Sequence, residues 1–234
     1  MRHVLSTVLL GPLLLGQGWW VRRVTPVLPE PPGERTGVSG RGPVLRLLVL
    51  GDSSAAGVGA AHQAEALLGQ LVARLSRTHT VHWCLRATSG HRLKDVGDGL
   101  ARQPADPADV VVLAIGVNDA TGGTRLPAWR AGLVRLLGRV RAQTGARHVL
   151  VSSLPPVHHF PALPQPLRWY LGERAARLQR VLRDVVWQQT GCELVAFDMP
   201  MQRALMAEDG FHPGPVAYAR WADALSGAIG RRLA

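Results

Sequence analysis

At 234 residues and 47% hydrophobic content, the chain can bury one good-sized core. Its formal net charge of +11 invites a nucleic-acid reading, but of the 27 basic residues only Lys94 is a lysine. The arginines recur at helical spacing, which describes solvated helix faces, and no stacking pattern of an RNA-binding sheet appears. Nucleic acid is therefore excluded as a partner, and a mild attraction to anionic lipid is the consequence kept from the charge.

Residues 1–23 form an apolar N-terminal segment, within which residues 4–21 run for 18 positions without a charge and end in Trp19-Trp20, followed by Arg22-Arg23. This predicts an uncleaved membrane anchor, because a span needs about 20 apolar residues and tryptophan favours the interface. By the positive-inside rule the flanking arginines would hold the rest of the chain on the cytoplasmic side. A cleaved signal peptide is the second reading, although no Ala-x-Ala site lies nearby. An apolar helix docked on the protein itself is the third. Residues 24–43, with Pro26, Pro29, Pro31 and Pro32, read as an extended Pro/Gly-rich linker with little capacity for a core.

From residue 44 to the C-terminus, strand-like and helical patterns alternate. Strands are expected at residues 44–50, 80–85, 110–115, 148–152 and 193–197. Helices are expected at 64–77, 127–141, 174–187 and 215–233, each with apolar residues at three- and four-residue intervals. That alternation argues for an α/β domain over residues 44–234, a parallel sheet covered on both faces. Residues 154–170 break the pattern: five prolines forbid a regular helix through most of the stretch. It leaves the carboxyl edge of the sheet, where Phe160, Leu163, Leu167 and Trp169 would line an apolar pocket or pack the loop on itself. The two cysteines, Cys84 and Cys192, form no Cys-x-x-Cys pair, so they read as small core residues and no metal is expected.

Three motifs stand at the carboxyl ends of predicted strands, where open α/β sheets bind ligands. Gly51-Asp52-Ser53-Ser54 follows the first strand and puts a hydroxyl where a loop opens. Gly116-Val117-Asn118-Asp119 follows the third and offers a side-chain amide. Asp209-Gly210-Phe211-His212-Pro213 supplies a carboxylate and an imidazole three residues apart. A Gly-Asp-Ser tripeptide alone is usually a turn. A serine, a base with its orienting acid and an amide donor together are the parts of an acyl-transfer site.

These motifs resemble those of the SGNH (GDSL-type) esterase/lipase superfamily, over residues 44–234. Gly51-Asp52-Ser53-Ser54 is similar to the first family block, with Ser54 where the family name has leucine. Thr88-Ser89-Gly90 falls where the second block has its glycine, Asn118 matches the third block's donor, and Asp209 to Pro213 match the fifth. The resemblance implies a three-layer α/β/α fold with a five-stranded parallel sheet, order 2-1-3-4-5, as in flavodoxin-like SGNH hydrolases. It also implies a serine hydrolase of acyl esters, needing no cofactor.

Catalysis would rest on Ser53, His212 and Asp209, with Asp198 as reserve acid, and the oxyanion would meet Ser53, Gly90 and Asn118. Asp119 would tie down the Asn118 loop, and His158 or His159 would touch substrate. Proline-rich stretches like 154–170 occur in a bacterial branch acting on long-chain acyl esters, so a lipid-like acyl ester is the expected substrate. A monomer is the expected state. Acyl transfer or short-chain deacetylation by the same site are the enzymatic alternatives. A membrane-tethered module binding an anionic ligand is the non-enzymatic one.

Overall fold

The computed structural model describes residues 2–196 and 202–233, residues 2–9 by backbone alone. Its elements run α1 (Arg2–Val24), β1 (Thr36–Ser39), β2 (Val44–Gly51), α2 (Ser53–Ala56), α3 (Leu67–Leu75), β3 (Thr80–Ala87) and α4 (Leu93–Arg102). They continue with β4 (Val110–Ala114), α5 (Val117–Thr121), α6 (Leu126–Thr144), β5 (His148–Ser152), α7 (Leu167–Trp187), β6 (Cys192–Val195) and α8 (Pro215–Leu233). The last expected strand is described as far as Val195, and Asp198 lies outside the described residues.

The apolar runs dictate the layers. In β2, Leu48 and Leu50 point to one face of the sheet, and Leu45, Leu47 and Val49 to the other. In β4 the same alternation sends Val111 and Leu113 one way and Val110, Val112 and Ala114 the other. Both faces are apolar, so both must be covered, and helices do it. α1, α4, α6 and α7 pack the first face, and α2, α3 and α8 the second. Trp129 of α6 is fully buried and donates its indole N–H to the Leu178 carbonyl of α7 at 3.0 Å. Each large apolar side chain so buried contributes about 1.5–3 kcal/mol.

The sheet has six strands in the order β1-β3-β2-β4-β5-β6. The five parallel strands follow the expected order 2-1-3-4-5, and β1 is an addition: it pairs antiparallel with β3, Thr36 opposite Cys84 and Ser39 opposite Val81. The expected linker is thus corrected in part. A four-residue strand in a Pro/Gly-rich stretch has no readable period, but the outer edge of β3 offers it unpaired backbone groups.

The apolar N-terminal segment forms α1. Among the described residues no helix is long and apolar enough to cross a membrane. α1 carries Pro12 inside it and rests on the first face through Leu14 and Val21. Gln17 clamps it to the start of α7, donating to the Gln165 carbonyl at 2.7 Å and accepting the Leu167 N–H at 3.0 Å.

Two further corrections concern helix starts. α7 begins at Leu167, inside the stretch expected to be irregular, because Pro166 occupies its N-cap, where a missing N–H costs nothing. The serine loop leads into the four-residue α2, and the longer helix starts only at Leu67.

Candidate active site

Ser53 is the first residue of α2, directly beyond β2 in the sheet interior. Asp52 caps the turn: its Oδ1 accepts the Ser54 N–H at 3.1 Å and the Ser54 hydroxyl at 2.7 Å. Burial pushes the Asp52 carboxyl up, opposed by those two bonds. Gly51 permits the close approach of β4: a Cβ there would stand 2.1 Å from the Ala114 carbonyl oxygen and 2.6 Å from the Ala55 Cβ.

Asp209 and His212 lie on the loop before α8. Asp209 is buried, and its Oδ1 accepts the backbone N–H groups of Phe211 at 2.9 Å and His212 at 3.0 Å. Its Oδ2 meets His212 Nδ1 at 2.5 Å. Burial opposes the charge on Asp209, but the bonds from His212 and Phe211 outweigh it and hold the carboxyl below its usual range. A carboxylate at Nδ1 keeps the proton on that nitrogen. Nε2 is then left as an acceptor, and it stands 2.8 Å from the Ser53 hydroxyl. The loop is held at both ends, by Ala207 N–H to the His212 carbonyl at 2.9 Å and Gly214 N–H to the Leu205 carbonyl at 2.8 Å.

Asn118 is in the first turn of α5. Its Nδ2 donates one N–H to the His91 carbonyl at 2.9 Å, which orients the amide and leaves a second N–H on the same nitrogen. Asp119 is buried and accepts the Leu93 N–H at 2.9 Å and the Thr124 hydroxyl at 2.8 Å, tying the start of α5 to the start of α4. Burial pushes its carboxyl up. Gly90 has φ +81°, a left-handed conformation that glycine adopts without penalty.

Ser53, Gly90, Asn118 and His212 converge on one cavity of about 350 Å³. Its walls are mostly apolar, with Ile115, Leu154, Phe160 and Phe211 among them. Phe160 packs edge-on to Phe211 at 4.9 Å between centroids, and Phe211 stands edge-on to His212 at 5.6 Å. A hydroxyl in contact with an imidazole, a buried carboxylate behind it, and amide donors around an apolar chamber can carry out acyl transfer.

Of the four residues expected to line the pocket, Phe160 does and the others do not. Leu163 and Leu167 are buried in the core of the first face, and Trp169 is 42% exposed on α7. The helix separates Leu167 from Trp169, since residues two apart on a helix point in different directions. His158 and His159 are exposed and do not line the cavity either. Sequence reasoning missed Phe211, which the histidine motif itself contains, and the wall formed by Val21 to Leu28.

Residues 49–220 match the model of the GDSL-like Lipase/Acylhydrolase family. The GDSL-like esterase Rv1075c of Mycobacterium tuberculosis (strain ATCC 25618 / H37Rv) is 30% identical over 236 residues, covering 91% of this chain and 74% of that protein. Among solved structures, TesA superposes with a TM-score of 0.63 at 24% identity, over 79% of this chain and 97% of TesA. The psychrotrophic esterase EstA from Pseudoalteromonas sp. gives a TM-score of 0.62 at 19% identity, over 80% and 98% of the two chains. These two share the fold, while the family match and the mycobacterial relative carry the assignment. The chain belongs to the GDSL-like lipase/acylhydrolase family, within the SGNH hydrolases, and is a carboxylic ester hydrolase.

Proposed function

We propose that the protein hydrolyses apolar acyl esters through an acyl-enzyme on Ser53. The observation that carries the reading is the unbroken chain of contacts from Asp209 Oδ2 to His212 Nδ1 at 2.5 Å and from His212 Nε2 to Ser53 Oγ at 2.8 Å. Ser53 Oγ attacks the ester carbonyl as its proton passes to His212 Nε2, and Asp209 stabilises the imidazolium that forms. The oxyanion is met by the backbone N–H groups of Ser53 and Gly90 and by the free N–H of Asn118. Collapse breaks the bond to the alcohol, which leaves with the proton from His212. Water, deprotonated by the same nitrogen, then attacks the acyl-enzyme and returns Ser53 to its starting state.

The cavity supports an acyl group longer than acetyl. At about 30 Å³ for a water-sized group, its volume of about 350 Å³ holds several methylenes beyond the carbonyl. Its apolar walls would gain about 0.8 kcal/mol for each one they bury.

A fluorophosphonate should add a single mass increment to the peptide containing Ser53, and Ser53→Ala should abolish both labelling and ester hydrolysis. Labelling at Ser54, or full activity in Ser53→Ala, would overturn the reading. A series of p-nitrophenyl esters from acetate upward should show kcat/KM rising with chain length. A maximum at acetate would point to a short-chain deacetylase. Ester product formed from an added alcohol in preference to acid would point to acyl transfer.

A further inference from the structure

The family domain begins at residue 49, yet the cavity around Ser53 is also lined by residues that precede it: Val21 and Arg22 at the end of α1, then Thr25, Pro26, Val27 and Leu28. Three sets of contacts hold this segment across the cavity. Upstream, Gln17 ties α1 to the start of α7, as described above. Downstream, the Pro32 carbonyl accepts the Gln63 N–H at 2.9 Å, while the Gln63 side chain donates to the carbonyl of Ala56, the last residue of α2, at 2.8 Å. Between them, Glu30 reaches the glycine loop: its Oε1 accepts the Ser89 N–H at 2.7 Å. Glu30 Oε2 accepts from Arg35 Nη1 at 3.0 Å, and Arg35 Nη2 donates to the Ala87 carbonyl at 2.6 Å. The Glu30–Arg35 pair therefore grips the backbone on both sides of Thr88.

We propose that residues 21–30 are a strap belonging to the catalytic site, in which Thr25 to Leu28 form the wall that sets acyl-chain length and Glu30 is a positioning residue for the oxyanion loop. The inference rests on the acyl-enzyme reading above. Gly90 is exposed, and a Cβ on it would meet nothing within 4 Å, so side-chain packing does not restrain the loop at that point. The loop's other backbone N–H bonds are longer, Thr88 to the Gly51 carbonyl at 3.3 Å and His91 to the Thr88 carbonyl at 3.2 Å, and Asn118 holds its far end through the His91 carbonyl at 2.9 Å. Glu30 supplies the short, charge-assisted bond. It occupies the N–H of Ser89, and the next residue along the chain is Gly90, which lines the cavity. Burial opposes ionisation of Glu30, but the Ser89 N–H and the Arg35 guanidinium outweigh it and hold the carboxyl below its usual range. An exposed ion pair adds little to stability. The placement of an oxyanion donor is far more sensitive, since a misplacement of about 1 Å costs on the order of a hundredfold in rate.

The test uses the full chain, with p-nitrophenyl butyrate and decanoate read below the unfolding temperature of each variant. Glu30→Ala should lower kcat on both esters by about tenfold to a hundredfold with KM within about twofold, while its unfolding temperature stays close to the parent's. Glu30→Gln, which keeps an acceptor for the Ser89 N–H, should recover part of the loss. Leu28→Trp should lower the decanoate-to-butyrate ratio of kcat/KM by about tenfold, and Leu28→Ala should not lower it. Unchanged kcat in Glu30→Ala, a loss confined to KM, or a ratio indifferent to both Leu28 variants would overturn the strap. Full activity in Ser53→Ala would instead overturn the acyl-enzyme reading beneath it, so the two failures are told apart.

Discussion

His212 meets Asp209 through one ring nitrogen and Ser53 through the other, and Asp209 spends its remaining acceptor capacity on two backbone N–H groups of the same loop. The carboxylate therefore shapes the loop as well as the imidazole. Because its folded-state pKa is depressed, its stabilisation is fully present above the unfolded value of about 3.9 and is lost as pH falls through the folded value. Denaturant unfolding should show parent and Asp209→Asn differing most near neutrality, with the gap narrowing below about pH 4. A gap independent of pH would contradict the depressed carboxyl. Asn118 makes a separate prediction. The His91 carbonyl fixes its amide, and in the proposed mechanism the second N–H meets a charge that exists only in the transition state, so Asn118→Ala should lower kcat by about a hundredfold or more with little change in KM. Steady-state kinetics on a single ester decides it, and a change dominated by KM would make Asn118 a substrate-positioning residue.

The elements show why short sequence runs mislead. The proline-rich stretch after β5 carries four apolar side chains that look equivalent as a string. The fold separates them: in the loop, Phe160 packs against Phe211 and the cavity while Leu163 turns into the core, and on α7 Leu167 turns into the core while Trp169 faces outward. Phe160→Ala should therefore shift kcat/KM toward longer esters by severalfold, whereas Trp169→Ala should leave the chain-length profile unaltered. Equal effects of the two substitutions would mean that the loop, and not the wall, sets the pocket. The same reasoning applies to β1. Four residues flanked by glycine and proline carry no strand signal of their own, and they are ordered by the free edge of β3.

For the whole molecule, sheet order controls which distant residues can meet. Cys84 lies on β3 and Cys192 opens β6, with β2, β4 and β5 between them. Four strand spacings of about 4.8 Å put them roughly 19 Å apart, and a disulfide tolerates Cα atoms no more than about 7 Å apart. Both thiols are free, and burial pushes both pKa values up, which lowers their reactivity. Non-reducing peptide mapping should recover them unlinked even after oxidation, and a Cys84–Cys192 peptide pair would overturn the strand order. The order that separates the cysteines also gathers the site: β2, β3 and β4 are adjacent and parallel, so the loops bearing Ser53, Gly90 and Asn118 leave from one edge of the sheet.

The sequence by itself determined the alternation of strands and helices and, through the family resemblance, the order of the parallel strands; it also picked out Ser53, Asp209, His212 and Asn118, which the fold brings to one cavity. These were legible because apolar periodicity is local and because the Ser53 and Asn118 motifs each follow directly on a strand, while Asp209 and His212 stand three residues apart on one loop. The triad members also carry chemistry that few other residue types supply. Only the tertiary structure showed what residues 10–43 pack against. An apolar run has the same composition whether it lies in lipid or against α7, and Gln17 and Leu14 acquire partners only once α7 and the first core face exist. Glu30 belongs with these. A carboxylate in a proline-rich stretch has no local signature, and its bond to Ser89 joins residues 59 positions apart, a distance that only the assembled fold removes.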